Sequence, residues 1–174
     1  RIQTDGDPVS MTCKEAVESG VVPNKLVAYY LGILTEFYEK TGIDITKSRF
    51  RKLGDKEKAF YAEVAFDFEV ETTIGWLELV ACNYRSDYDL TSHATKSKQK
   101  FEIMDGDDKV LPHVFEISMG IDRSLYTILE HSLKDDKEHE RMVLALKPYL
   151  SPVHIGILSL VKKDGLKEKT DEIY

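Results

Sequence analysis

The hydrophobic period of this chain changes between residues 24 and 82, and that change demands a helix lying beside a sheet. From Asn24 to Lys40, Leu26, Tyr29, Tyr30, Ile33, Leu34 and Phe37 recur at helical spacing. Asn24 is a suitable N-cap and Gly42 a stop, so a helix is expected over this stretch, its aromatic residues filling the core. Farther on the period becomes two. Phe60, Ala62, Val64, Phe66, Phe68 and Val70 alternate with Tyr61, Glu63, Ala65, Asp67 and Glu69, the pattern of a strand. Its polar face is either solvated or lines a site. A turn near Thr72–Thr73 leads into Ile74–Cys82, apolar almost throughout, as a central strand covered on both sides is. Glu78 breaks that run. A carboxylate buried there must face a polar cavity or meet a cation.

The flanking segments are read by the same rules. Residues 1–11 are irregular, with Gly6 and Pro8 as breakers. Thr12 and Glu15 form a capping box for a short helix that Gly20 ends. Arg85, Ser86, Asp87 and Asp89 form a polar cluster, and a loop follows. Asp105–Asp108 is expected as a solvated hairpin turn, because its acids lack calcium-loop spacing. Pro112–Gly120 reads as a strand ending in a tight turn, and Ile121–Leu133 as a helix with Leu125, Ile128 and Leu129 inward. Arg123 in its first turn opposes the helix dipole unless an anion compensates it. Residues 134–141 are a charged connector, and Pro148 and Pro152 bracket a domain boundary. Val153–Val161 reads as an apolar strand, with a helix from Leu166.

Composition narrows the function classes. The 174 residues carry a net charge of −7, which argues against a general nucleic-acid coat protein but leaves room for a local basic patch. Cys13 and Cys82 lack metal-ligand spacing and read as reduced, partly buried thiols, which fits a cytoplasmic protein. No apolar run reaches membrane-spanning length, so no membrane partner is expected. The five histidines show no zinc spacing, and no nucleophile elbow, phosphate loop or dinucleotide fingerprint occurs. The groups left are Glu78, the Arg85–Asp89 cluster, and the Glu116, Ser118, Gly120 and Arg123 series. Side by side, they would suit a ligand carrying both an ammonium and phosphates.

Those residues carry a family resemblance. Gly75-Trp76-Leu77-Glu78-Leu79-Val80, followed by Arg85-Ser86-Asp87-Tyr88-Asp89-Leu90, resembles the glycyl-tRNA synthetase pattern G-W-x-E-x-x-G…R-[ST]-x-[YF]-D-L. Pro112 to Arg123 resembles P-x-V-I-E-P-S-x-G-[LV]-[GD]-R, motif three of class II synthetases. Arg49-Phe50-Arg51 and Glu57 to Ala62 are similar to R-F-R…E-x-A-x-Y-A, and Arg141 to Lys163 resembles the join to the anticodon-binding domain. The similarity runs from about residue 12 to the end. Ile117 stands where the family has Pro, Ala81 where Gly is common, and the stretch between His93 and Pro112 is short. The resemblance implies an α+β fold: a partial class II antiparallel sheet flanked by helices, then the start of an α/β anticodon-binding domain. The corresponding domains are residues 1–147, the C-terminal part of the catalytic domain with a helical segment at about 12–42, and residues 148–174, the beginning of the anticodon-binding domain.

It further implies a ligase that activates glycine with ATP and Mg²⁺ and transfers it to tRNA(Gly), working as a homodimer. Arg123 and Glu78 are the implied catalytic pair. Glu78, Leu79, Gly120, Ile121, Asp122 and Arg123 are the implied ATP contacts, with Glu78 as the Mg²⁺ ligand. Glu116, Ser118, Gly120 and Arg85 are the implied glycine contacts. Two assignments stay open: Glu116 as a cap for the next helix, and Arg85 as a structural partner of Asp87 or Asp89. Motifs one and two are not in the chain, so it is expected to be inactive alone. The competing readings are a non-catalytic synthetase-like nucleic-acid-binding or polymerase accessory module, and a class II synthetase for threonine, proline, serine or histidine.

Overall fold

Two long strands joined by a tight turn form the centre of the molecule, described over residues 1–174 by a computed structural model. A short β1 (Ile2–Gln3) runs parallel to β2 (Ser48–Lys52). The antiparallel strands β3 (Val64–Thr72), β4 (Gly75–Ser86) and, later, Val114–Met119 complete a five-stranded sheet. The α+β expectation therefore holds. The expected strand start at residue 60 does not: residues 59–63 form a turn, and Phe60 lies in solvent.

The register sorts side chains by face. Phe50, Phe68 and Val80 share one row across β2, β3 and β4, and with Phe66 and Cys82 they form the apolar face. On that face lies α2 (Lys25–Lys40), behind the short α1 (Cys13–Glu18). The Thr12–Glu15 capping box forms at α1, and the Asn24 side chain accepts from the Val27 N–H at α2. A Schellman turn ends α2: Gly42 at φ +92° donates to Glu39 O, and Ile43 donates to Tyr38 O. Tyr38 stacks on Phe68 with ring centroids 4.9 Å apart.

The buried stripe of α2 differs from the expected one. Val27, Ala28, Leu31, Leu34 and Tyr38 are inside, whereas Leu26, Tyr29, Ile33 and Phe37 are exposed. Both stripes are apolar at helical spacing, and contact with the aromatic sheet face selects the one centred on Tyr38.

After β4 comes a helix where a polar cluster and loop were expected, α3 (Tyr88–Ser97). The acidic turn forms the tip of a hairpin, β5 (Ile103–Asp105) and β6 (Asp108–Val110), as anticipated. Then follow β7 (Val114–Met119) and α4 (Ile121–Ser132). α4 turns Ser124 and Thr127 inward, with Ile128 partly buried, and leaves Leu125 and Leu129 exposed. The expected inward set is thus mostly outward, because close approach to Tyr38 favours the small polar side chains. The charged connector folds into a hairpin, β8 (Leu133–Asp136) and β9 (Arg141–Leu144), tied by Asp136 to Arg141 at 2.9 Å.

Residues 153–161 form no strand, contrary to expectation, and Leu158 and Leu160 lie in solvent. A strand needs a partner for its ladder groups, and this segment pairs with none of the strands. The helix expected from Leu166 is present as α5 (Leu166–Ile173). No helix is long and apolar enough to cross a membrane.

Candidate functional site

The sheet face away from α2 is polar, and its charge is arranged in pairs. Arg49 and Arg51 of β2 lie opposite Glu69 and Asp67 of β3. Arg49 binds Glu69 Oε2 through Nε at 2.7 Å and Nη2 at 2.6 Å. Arg51 reaches Glu69 Oε1 at 3.0 Å, Asp67 Oδ2 at 3.1 Å and Glu57 at 3.0 Å. Arg49 also lies over the Trp76 ring, 3.9 Å from its centroid. Asp67 and Glu69 are each only 8% exposed, so this part of the polar face of β3 is covered by its ion pairs and is not solvated. Burial, with the nearby Glu78 charge, pushes the Asp67 carboxyl up to about 6 despite Arg51.

A bulge sets the next rank. Phe68 pairs with Val80 and Glu69 with Glu78, which leaves Leu79 as the extra residue in β4. The Leu79 side chain is buried, and its carbonyl accepts from the Gly120 N–H at 2.8 Å. The carbonyl of Glu78 accepts from Arg123 Nη1 at 3.1 Å, and the Glu78 carboxylate lies 3.5 Å from the same nitrogen. Glu78 is therefore half-exposed and paired, not buried. The anion that relieves Arg123 at the start of α4 is this carboxylate. Asp122 and Ile121 complete the first turn, with Gly120 as N-cap. A Cβ placed on Gly120 would meet Arg123 and Leu79 O no closer than 3.5 Å, so the fold does not itself require glycine there.

Pairing of β4 with β7 brings the remaining residues together. Ala81 lies opposite Ser118, and Asn83 opposite Glu116, on the same polar face. Ile117, between them, keeps its place in the strand opposite Cys82. Arg85 donates to Glu116 Oε2 at 2.9 Å and to Asp89 Oδ1 at 2.6 Å, and its guanidinium lies 3.9 Å above the Tyr61 ring. The hydrogen bond to Asp89, more than that to Glu116, raises the Arg85 pKa. Arg85 is thus a partner of Asp89, and Asp87 takes no part in the pairing. The buried Nε–H of Arg85 has no partner.

The named residues therefore share one face: Glu78 with Arg123 at one end, Ser118 in the middle, and Glu116 with Arg85 at the other. Sequence reasoning missed Arg49, Arg51, Asp67 and Glu69 as part of this floor. The two-residue spacing of Arg49 and Arg51, matched to that of Asp67 and Glu69, was the available signal.

No family model matches the chain. Curated proteins do. A glycine–tRNA ligase of Archaeoglobus fulgidus is 29% identical over 237 aligned residues, covering 94% of this chain and 42% of the relative. One from Methanothrix thermoacetophila is 28% identical over 99% of the chain and 43% of the relative. One from Treponema denticola is 33% identical over 79% of the chain and 33% of the relative. In sequence, most of the chain is similar to glycine–tRNA ligases. It spans about two fifths of the length of the archaeal relatives it matches. The alignment to the Archaeoglobus protein is longer than this synthetase-like chain itself, so the relative carries additional sequence inside the matched span.

Proposed function

We propose that the chain forms the amino-acid and phosphate-facing part of an ATP-dependent glycine–tRNA ligase. The observation that carries this reading is the β4–β7 pairing, which sets Glu116 and Ser118 on one face with Glu78 and Arg123. In such a ligase a glycine carboxylate oxygen attacks the α-phosphorus of ATP, and the bond to pyrophosphate breaks. The nucleophile is already ionised, so no general base is required and the work is positioning and charge stabilisation. The acceptor-end hydroxyl of tRNA(Gly) then attacks the acyl carbon and releases AMP. Such a ligase works in the cytoplasm, commonly as a homodimer.

Arg123 would exchange its Glu78 partner for phosphate oxygens, which suit its fork of donors. Ile121 and Asp122 present backbone beside it, and Leu79 anchors the bulge. Glu116 and Ser118 would take the glycine ammonium, with Arg85 fixing the Glu116 carboxylate. Glu78 is the carboxylate paired with Arg123 at the phosphate end, and it would be the residue to hold a Mg²⁺ whose charge offsets that of the phosphates. Residues 148–174 would begin the anticodon-binding domain.

Calorimetric titration with a non-hydrolysable glycyl-adenylate analogue tests the reading. The chain is expected to bind it, and Arg123→Ala or Glu116→Gln to weaken binding about tenfold or more, the loss of one charge-assisted contact. Equal binding of the seryl analogue would overturn the glycine assignment. Pyrophosphate exchange by the chain alone is expected to be absent, because no motif-two arginine is present.

A further inference from the structure

Arg85 and Asp89 are joined by a single hydrogen bond, from Nη2 to Oδ1 at 2.6 Å. The next atom on each edge, Arg85 Nε and Asp89 Oδ2, is buried and has no partner. Nε and Nη2 share one edge of a guanidinium, and a carboxylate commonly takes both. Two orphaned polar atoms within one ion pair are a cost that other contacts must offset. Two contacts hold the guanidinium out of the closed pair. Nη1 donates to Glu116 Oε2 at 2.9 Å, and Cζ stands 3.9 Å over the centroid of the Tyr61 ring. Tyr61 is itself fixed in the turn 59–63. There Ala62 donates to Ala59 O at 2.9 Å, and Lys58 Nζ donates to Glu63 O at 2.7 Å. Glu63 donates to Tyr84 O at 2.8 Å, and Tyr84 precedes Arg85 in β4. The ring and the arginine it covers are thus tied to the same strand.

We propose that Tyr61 is a positioning residue for glycine: its ring face holds Arg85 in the orientation that reaches Glu116, against a competing two-bond pair with Asp89. The proposal rests on the ligase reading for what Glu116 binds, and on the contacts above for what Tyr61 does. With the ring removed, the guanidinium turns onto Asp89, where Nε and Oδ2 satisfy each other. Glu116 then loses the donor that aims its carboxylate at the ammonium. Glycine has no side chain for a pocket to grip, so its binding depends on how firmly the groups at its two ends are aimed. The contact is made by the ring face and not by the hydroxyl, so any benzene ring at this position serves and an aliphatic chain does not.

Two readouts on the full chain test it. In calorimetric titration with the non-hydrolysable glycyl-adenylate analogue, Tyr61→Phe should bind as the parent does. Tyr61→Leu and Tyr61→Met should bind roughly 2- to 30-fold more weakly, the range of one cation–π contact. In an Arg85→Met background Tyr61→Leu should add no further loss, because the ring acts only through the arginine, whereas a merely structural role gives losses that add. Tyr61 is only partly buried and lies on a turn anchored by backbone bonds, so these variants fold, and circular dichroism checks that they do. The second readout is the Arg85 Nε–H signal in proton–nitrogen NMR of the isotope-labelled chain, identified by its loss in Arg85→Met. It should move downfield in Tyr61→Leu, as the ring current goes and Asp89 accepts the proton, and stay in place in Tyr61→Phe. Tyr61→Leu binding as well as the parent, Tyr61→Phe binding as weakly as Tyr61→Leu, or additive losses in the Arg85→Met background would each overturn the proposal. If the parent chain does not bind the analogue, the ligase reading fails and the NMR signal decides alone: an Nε–H unmoved by Tyr61→Leu overturns the positioning as well.

Discussion

Asp67 is the residue whose environment most opposes its charge. It is nearly buried, accepts one hydrogen bond from Arg51, and faces Glu78 as well as Glu69, both like-charged. Burial comes first and the Glu78 charge second, and together they hold the carboxyl at about 6. An unfolded Asp loses its proton near pH ~3.9. Between about pH 4 and 6 the folded chain therefore binds more protons than the unfolded one, and stability attributable to this group falls as pH rises through that window. Asp67→Asn removes the titration and keeps an acceptor for Arg51. Urea unfolding across pH 4 to 8 should show the variant gaining on the parent as pH rises, by at most about 3 kcal/mol. A difference that is flat with pH, or that shrinks as pH rises, would show that Arg51 compensates the charge fully. Cys82, on the apolar side of the same strands, needs no such test: burial pushes its thiol up to about 12, so it stays protonated and inert.

At the scale of elements, α4 is held by hydrogen bonds more than by apolar contact. Ser124 Oγ donates to Gly120 O at 2.8 Å, which uses its only proton. The Tyr38 hydroxyl, 2.8 Å from the same Oγ, is therefore the donor between α2 and α4. Thr127 Oγ1 donates to Arg123 O at 2.9 Å and is fully buried. Tyr38→Phe keeps the ring on Phe68 and removes the inter-helix bond, so thermal or urea unfolding should show a loss of about 1 kcal/mol. A loss below about 0.3 kcal/mol would mean that α4 docks without it. This packing also marks where the sequence stopped being legible. The existence of α2, β3, β4, β7 and α4 could be read from period and caps, but the faces of both helices could not. Leu26, Ile33 and Phe37 compete with Leu31, Leu34 and Tyr38 for the same spacing, and only the sheet decides between them. β2 was invisible as a strand because Phe50 is its single apolar residue. At the site, motif residues were legible, whereas the ion pairs of Arg49 and Arg51 arise from strand pairing that no local pattern records.

At the scale of the molecule, surface outweighs core. The accessible surface is 12435 Å² for 19.9 kDa, against about 8,700 Å² for a compact monomer of that mass. Apolar side chains are exposed on the helical side, Tyr29, Ile33 and Phe37 on α2 and Ile121, Leu125 and Leu129 on α4, and in the segment beyond β9, Ile155, Leu158 and Leu160. β7 is the outermost strand of the sheet, so one of its edges presents unpaired backbone groups. Exposed apolar rings and chains on two neighbouring helices cost a monomer in water, and association lowers the cost. The isolated chain is therefore expected to bind the dye ANS strongly while keeping its near-UV circular dichroism, which separates an exposed native face from a molten state. It should also sediment as an associating species whose average mass rises with concentration. Placing charge on the face, as in Ile33→Lys with Leu125→Lys, should reduce both signals without unfolding the chain, since both residues are exposed. Dye fluorescence at baseline together with a single monomer peak would show that the helical face needs no cover, and that the excess surface lies in the extended segment beyond β9.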